Sequence, residues 1–246
     1  MTRLSFVSLN IEKDKHFDTV IPFLEQKRAG VVCIQELLEE DIPRIEAVCG
    51  SGLFVPMARF EMSRGTLASG IGIFSHLPLI DAFSKQYAGF EGDLPLFNKD
   101  NQETTEQFFA VVASVEKDGS IFRIATTHFP WTPNGESSDF QRVALKGLFG
   151  VLSDESELVL CGDFNAPRGG EIFSALAAQY TDNIPLQYVT SLDPNLHRAG
   201  KECLYEIEFL MVDGLFSTPQ YNVSEVALHR GISDHCAVTA TIQKTQ

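Results

Sequence analysis

The sequence predicts an α/β domain, and three observations carry that expectation. Short apolar runs rich in β-branched residues alternate with segments whose apolar residues recur at helical spacing. No repeat, low-complexity tract or Pro/Gly/Ser-rich linker interrupts the alternation, so a single domain over residues 1–246 is expected. With 44% hydrophobic and 21% charged residues, the chain has the make-up of a globular protein with one large core. That composition excludes a disordered tail, a collagen-like rod and a small disulfide scaffold.

Taken in order, Leu4 to Leu9 reads as a strand. Phe17, Val20, Ile21 and Leu24 then lie at helical spacing, with Gly30 as the expected stop. Val31 to Gln35 is a buried-strand pattern, and Leu38, Ile42, Ile45 and Val48 mark a second helix closed by Gly50. Gly70 to Phe74 reads as a strand whose glycines allow close approach. Asp81 to Gln107 is polar and irregular, and is expected to be a long loop. Phe108–Val115 and Ile121–Thr127 flank Lys117-Asp118-Gly119-Ser120, a hairpin signal because Asp-Gly accepts the backbone geometry of a tight turn. Phe140, Val143, Ala144, Leu148, Val151 and Leu152 form a third helical stripe. Leu158 to Cys161 is a strand, and Ile172, Phe173 and Leu176 suggest a short helix. Phe209–Val212, Val223–Leu228 and Cys236–Ile242 are expected to close the chain as strands.

Nineteen Lys and Arg against thirty-three Asp and Glu leave a formal net charge of -14. A protein that coats nucleic acid through bulk charge is thereby excluded. An enzyme that grips phosphate through a metal is not, since the metal supplies the local positive charge. The five cysteines, Cys33, Cys49, Cys161, Cys203 and Cys236, are odd in number and widely spaced, and are expected to be unpaired thiols. The start MTRLSFVSLN is too short and polar for a signal peptide, and no run reaches the ~20 apolar residues of a membrane span. Cytoplasmic location, with no stable membrane association and no protein partner, is the expectation.

The informative feature is where the polar residues fall. The first strand runs into Asn10 and, after Ile11, Glu12; the second ends at Gln35-Glu36. The hairpin ends at His128, the next strand at Gly162-Asp163-Phe164-Asn165, and the one after at Asp213. Ser233-Asp234-His235 precedes the last. Strands of one layer can bring such ends to a common rim, where carboxylates, amides and imidazoles suit a hard divalent cation and a phosphate.

The ordered set SLNIE, QE, TTHF, GDFN, MVDGLF and SDH resembles the endonuclease/exonuclease/phosphatase family, over nearly the whole chain from Asn10 to His235. That family holds exonuclease III-type and deoxyribonuclease I-type nucleases, tyrosyl-DNA phosphodiesterases, neutral sphingomyelinases and inositol polyphosphate 5-phosphatases. The resemblance implies a four-layered α/β sandwich in which two mostly antiparallel sheets face each other between helices. It implies that Asn10, Glu36 and Asp234 hold Mg²⁺, with Mn²⁺ able to substitute. Asp163 would be the general base for the attacking water, and Asn165 would hold a phosphate oxygen or the nucleophile. His235 would donate to phosphoryl oxygens, with Asp213 orienting it. His128 would contact the phosphate, and Glu12 matches an acidic position found in several branches.

Among the branches, VLCGDFN and LMVDGLF depart from the 5-phosphatases, which carry Trp before GD and a WCDR-like motif around the orienting Asp. The approach Glu208-Phe209-Leu210-Met211-Val212 lacks the Arg of the abasic-site endonucleases. The GD-x-N loop followed by Arg is similar to the tyrosyl-DNA phosphodiesterases, which makes Arg168, His197 and Arg198 candidates for substrate phosphate. The expected function is that of a Mg²⁺-dependent phosphodiesterase or nuclease acting on DNA, RNA or a nucleotide-like phosphodiester. A phosphatase or phosphodiesterase for a small or lipid-linked phosphate is the alternative, and a catalytically silent binding module the third reading.

Overall fold

The computed structural model describes residues 2–202 and 207–245, so Cys203 lies outside the described residues. Strand β1 (Leu4–Asn10), helix α1 (Phe17–Lys27), strand β2 (Val31–Leu38) and helix α2 (Ile42–Cys49) come first, followed by β3 (Gly52–Met62) and β4 (Gly65–Phe74). Next are β5 (Leu79–Gly89), the four-residue α3 (Gln102–Thr105), and the hairpin of β6 (Gln107–Lys117) and β7 (Ser120–His128). Then come α4 (Asp139–Leu152), β8 (Val159–Asp163), α5 (Glu171–Gln179) and the two-residue β9 (Thr181–Asp182). The chain closes with α6 (Arg198–Lys201), β10 (Asp213–Ser217), β11 (Tyr221–His229) and β12 (Ala237–Lys244).

The strands form two six-stranded sheets, ordered β11-β12-β1-β2-β4-β3 and β5-β6-β7-β8-β10-β9. Alternation of side chains along each strand builds the layers. In β1, Leu4 and Phe6 face the core between the sheets, whereas Val7 and Leu9 face the core under α1 and α2. In β8, Val159 and Cys161 point between the sheets, and Leu160 packs with Ala144, Leu148 and Leu152 of α4 and with Phe173 and Leu176 of α5. A strand covered on both faces must be apolar at nearly every position, and β2 and β8 read that way up to their polar rim residues, while β1 departs from it at Ser5 and Ser8. The result is helices, sheet, sheet, helices: the four-layered α/β sandwich.

One topological feature positions the site. Each sheet has a single parallel pair at its centre, β1 with β2 and β7 with β8, spanned by α1 and α4 respectively. Parallel neighbours end at the same rim, and here the last residues are Asn10 beside Gln35 and His128 beside Asp163. The antiparallel neighbours of each pair start at that rim. Asp213, the first residue of β10, pairs with Asp163, and His235 lies two residues before β12, which runs antiparallel to β1. Asp213 therefore opens a strand rather than ending one, and the expected strand Phe209–Val212 is irregular chain leading into β10. The direction of β10 brings Asp213 to the rim; an end of a parallel strand would have done the same.

The stretch 81–107 is also not one long loop. Its first part belongs to β5, an edge strand with polar side chains and mostly partial exposure, followed by short helical turns before β6. The strand β3, unmarked in the sequence, is likewise a sheet edge. Edge strands carry mixed, polar sequences that blunt pairing with other chains, so apolar alternation does not reveal them. Helix α1 stops before Gly30, at Arg28, whose left-handed φ of 45° lets its N–H bond Leu24 O. Val143, expected in the apolar stripe of α4, is instead 65% exposed, and Leu145, outside the expected stripe, lies on the buried face. The hairpin turn matches expectation, with Asp118 and Gly119 both at positive φ (49° and 74°). Among the described residues no helix is long and apolar enough to cross a membrane. Cys33, Cys49, Cys161 and Cys236 are buried free thiols.

Gly162 fixes how closely β8 approaches β7. It sits at φ 140°, and a Cβ there would lie 1.9 Å from the carbonyl oxygen of Thr127. Both backbone strain and a collision with rigid backbone oppose any side chain. We predict that Gly162→Ala lowers stability by about 3 kcal/mol or more, a drop in Tm of roughly 6–12 °C for a chain of this size. Thermal unfolding followed by circular dichroism checks it; an unchanged Tm would show that the strands have room to move apart.

Candidate active site

The rim residues meet around one carboxylate. Asp163 is buried, with 1% exposure. Its Oδ2 accepts from Asn10 Nδ2 at 3.1 Å and lies 3.5 Å from His128 Nε2 and 3.6 Å from His235 Nε2. Its Oδ1 accepts the backbone N–H of Asn165 at 2.9 Å. Burial alone would raise its pKa, but the charges of His235 and His128 and the hydrogen bonds to His128 and Asn165 outweigh it, so the carboxyl titrates below its ordinary value. Asp163 is thus an ionised, oriented carboxylate in the cleft.

His235 is held from both sides, its Nδ1 2.8 Å from Asp213 Oδ2 and its Nε2 towards Asp163. Burial disfavours the imidazolium, yet the two carboxylates lift the pKa of His235 well above the usual imidazole range. Asp213 is itself fixed by the hydroxyl of Ser191, which accepts the backbone N–H groups of Val212 and Asp213, each at 3.0 Å. His128 behaves similarly. Burial opposes its charge, and the hydrogen bond and charge of Asp163, with Glu36 and Glu106 nearby, push its pKa up to about 9.

Glu36 reaches the cleft through a bulge. Between Ile34 and Leu37 the strand β2 carries one residue more than its partner β4, and Glu36 there adopts φ 60°. Its Oε1 accepts from Asn10 Nδ2 at 3.2 Å, and its Oε2 from Lys13 Nζ at 2.7 Å. Burial raises its pKa, but Lys13 and His128 hold it far below the usual carboxylate range. Asn10, with one N–H on Glu36 and the other on Asp163, joins the two sheets. Glu12, Lys13, Glu36 and Asn165 all have left-handed φ, so four non-glycine residues near one rim are held in sparsely populated backbone geometry.

A cleft of about 570 Å³ opens above these groups, lined on its polar side by Glu12, Glu36, Asp163, Asp234 and His235. Glu12, His16 and Asp234 place ligand atoms within 4.8 Å of one another. Asp234 is pushed up to about 6 by burial; His235 opposes the shift, and the charges of Glu12 and Glu36 add to it. A buried cluster of like charges of this kind is what a divalent cation relieves. The donors are carboxylates, an amide and an imidazole, and among the described residues no cysteine lines the cleft. That set fits Mg²⁺ or Mn²⁺.

The other sequence candidates divide. Asn165 spends one amide N–H on Phe129 O at 2.9 Å and lines the cleft with its other N–H and oxygen available. His197 lines it too, its ring 6.3 Å from that of His235, and burial and the His235 charge lower its pKa. Arg198 lines it with a largely exposed side chain paired to Glu202. Arg168 is not among the residues that line the cleft. Its guanidinium donates to Ile184 O (2.8 Å) and Tyr188 O (3.1 Å) and pairs with Asp182 (2.9 Å), tying two loops together away from the cleft. The backbone bond from Arg168 N to Met211 O sets that direction.

Three contributions carried no sequence signal that was read. Lys13 is one position beyond SLNIE and neutralises Glu36. Glu106 is buried in the cleft wall, its pKa pushed up to about 7 by burial against the opposing charge of His128. Asp193 ties its own loop to the SDH loop, its Oδ2 accepting Gly231 N at 2.7 Å and its N–H donating to Asp234 O at 2.8 Å. The polar residue following a recognised motif would have exposed Lys13; Glu106 and Asp193 sit in stretches without a motif.

Two facing sheets between helices, with this rim of acidic, amide and imidazole groups, define the class of four-layered α/β-sandwich proteins. A sequence profile of the Endonuclease/Exonuclease/phosphatase family matches residues 7–235, and the chain belongs to that family. Its members are phosphoester hydrolases, including nucleases, phosphodiesterases and phosphatases, generally dependent on a divalent metal. Among solved structures, an endonuclease/exonuclease/phosphatase from Bacteroides vulgatus aligns with a TM-score of 0.73 at 16% identity, covering 100% of both chains. The human Nocturnin catalytic domain, solved with a bound sulfate anion, gives 0.71 at 16% identity over 99% of this chain and 95% of that one. A Bacteroides thetaiotaomicron mannosyl-6-phosphatase gives 0.65 at 11% identity over 98% and 99%. At these identities the likenesses show the fold. No curated protein sequence matches the chain.

The charge on His128 links pH to stability. Because its pKa rises from 6.5 to about 9 on folding, its contribution is fully present below pH 6.5 and is lost as pH rises through about 9. In chelator-treated protein we predict a loss of up to about 3 kcal/mol across that window. Denaturant unfolding of wild type and His128→Gln at pH 6 and 9.5 isolates it as a difference: the variant should lose less than wild type by about that amount, the loss that remains belonging to His235 and Glu106, whose pKa values are also raised. Parallel losses would place the proton elsewhere.

Proposed function

We propose that the chain is a divalent-cation-dependent phosphodiesterase that hydrolyses a nucleotide-like phosphodiester by attack of water at phosphorus. The observation that carries this reading is Asp163, ionised and oriented by Asn10, Asn165, His128 and His235, at the floor of a cleft rimmed by Glu12, Glu36 and Asp234. These three acidic residues, with Asn10, would hold Mg²⁺ or Mn²⁺. Such a cation supplies Lewis-acid stabilisation of phosphoryl and leaving-group oxygens.

The remaining steps belong to the chain's own groups. Asp163 accepts a proton from the attacking water, since its carboxylate is ionised and fixed by the donors around it. His235, kept charged between Asp213 and Asp163, donates to a phosphoryl oxygen as negative charge develops there. Asp213 sets the ring orientation through Nδ1. His128 adds a second imidazolium near the same carboxylate, and the free N–H of Asn165 serves phosphate or water. His197 and Arg198 lie along the lining where the rest of the substrate would pass.

A second reading, a small phosphate ester as substrate, draws support from charge. Lys13, Lys99 and Arg198 are the Lys and Arg residues among the described cleft lining, Lys13 is already paired to Glu36, and the chain carries -14 overall. A long polyanion needs a stripe of such groups. A panel of plasmid DNA, single-stranded DNA, RNA, dinucleotides, sugar phosphates and lipid phosphodiesters, each with Mg²⁺ and Mn²⁺, separates the readings. Compact phosphodiesters should turn over fastest, and preferential release of phosphate from monoesters would install the second reading instead.

We predict that Asp163→Asn lowers kcat on bis-p-nitrophenyl phosphate by ~10²–10⁴-fold with fold intact, because an amide fills the space without accepting the proton. His235→Ala should cost on the order of 10²–10³-fold, and Asp213→Asn less than His235→Ala. Retention of more than about a tenth of wild-type kcat by Asp163→Asn would require another base. Full activity in excess EDTA would remove the cation from the account.

A further inference from the structure

We infer that Glu12, His16 and Asp234 form a mixed nitrogen–oxygen cation site, and that the ligand it selects is a first-row transition dication of the Mn²⁺ type rather than Mg²⁺. The inference rests on the reading that the cleft takes a divalent cation, and adds to it a nitrogen donor that the motifs did not reveal.

The geometry suits coordination. His16 Nε2 and Glu12 Oε2 form a hydrogen bond of 3.0 Å, which a cation between them would replace, and both residues place a ligand atom within 4.8 Å of one on Asp234. Adjacent ligands of an octahedral ion with bonds of about 2.1 Å stand about 3.0 Å apart, and opposite ones about 4.2 Å. The three side chains therefore span distances that one ion can bridge with little movement. The other oxygen of Glu12 is occupied by Lys15, which leaves Oε2 as the one directed towards His16.

The three residues are also held in place by separate anchors. His16 caps the start of α1, its carbonyl accepting the N–H groups of Thr19 and Val20 at 3.0 and 2.8 Å. The Thr19 hydroxyl reaches across to Ile232 O at 2.6 Å, fastening the first turn of the helix to the loop that carries Asp234. Glu12 is set by its left-handed backbone and by its N–H on Asn10 Oδ1 at 3.1 Å. All three side chains are largely shielded from solvent. Preorganised ligands on a helix start and two fixed loops are what a metal site needs.

The chemistry then decides the ion. Mg²⁺ favours oxygen ligands and keeps its waters, whereas imidazole suits the later first-row dications best and Mn²⁺, the hardest of that row, takes one imidazole beside carboxylates more readily than Mg²⁺ does. A histidine among the ligands shifts the balance towards Mn²⁺ or its heavier neighbours. Without His16 the site would be all oxygen and would lose that bias.

The experiment adds Mn²⁺ to the metal-free full-length protein and records electron spin echo envelope modulation, which reports nitrogen-14 bound to the ion. Dissociation constants for Mn²⁺ and Mg²⁺ are measured in parallel by calorimetry. Wild type should show histidine nitrogen coupling and bind Mn²⁺ more tightly than Mg²⁺. His16→Gln should lose the coupling, and its Mn²⁺ affinity should fall by roughly 10–100-fold while Mg²⁺ affinity changes far less. Absence of coupling in wild type, or coupling retained in His16→Gln, overturns the assignment, the latter by placing the nitrogen on another histidine. Should His16→Gln not fold, the wild-type measurements still decide, since equal affinity for the two ions also overturns it. The phosphodiesterase reading fails separately, if protein with nitrogen-coupled Mn²⁺ hydrolyses no phosphoester.

Discussion

Everything at the rim depends on the buried negative charge of Asp163. Placing a carboxylate at 1% exposure inside an α/β sandwich costs far more than folding can spare unless donors surround it. The fold meets that constraint from both sheets at once: Asn10 comes from the first, His128 from the second, and His235 from the loop entering β12. The same arrangement that makes the charge tolerable also makes it useful. It keeps Asp163 ionised and fixed in orientation, and it surrounds with donors the carboxylate proposed as the proton acceptor.

The second constraint is the opposite problem, a cluster of negative charge. Glu12, Glu36 and Asp234 share the cleft, and the burial and repulsion that raise Asp234 to about 6 mark a site organised for an added positive charge. Lys13 answers part of it at Glu36, and the proposed cation would answer the rest. The acidic balance of the whole chain and the acidic cleft are therefore different facts. The first weighs against long polyanionic partners, and the second suits the cation and phosphate of the proposed function.

The site was largely legible in the sequence because its residues follow or precede buried strands, where a polar side chain interrupts an apolar run. Asn10, Glu36, Asp163, Asn165, His128, Asp213, Asp234 and His235 all meet at one rim. Arg168 was misread because the residue type suggested phosphate, while the turn after GDFN sends its side chain to carbonyls of another loop. Lys13, Glu106 and Asp193 act through tertiary neighbours that no local pattern announces. In the fold, the central strands were readable because both faces are covered, and the edge strands β3 and β5 were not, because half-exposed edges carry mixed sequence. The direction of β10 depends on pairing with β8, a long-range contact, so Asp213 was placed at the correct rim on the wrong end of a strand.

In the proposed reaction Asp163 delivers a water molecule to phosphorus. Hydrolysis of a phosphodiester in oxygen-18-labelled water under single-turnover conditions tests it most directly, with the products analysed by mass spectrometry. One labelled oxygen is expected in the phosphate-bearing product and none in the released alcohol, with the yield of labelled product falling sharply in Asp163→Asn. Label in the alcohol, or equal yields from the two proteins, would contradict it.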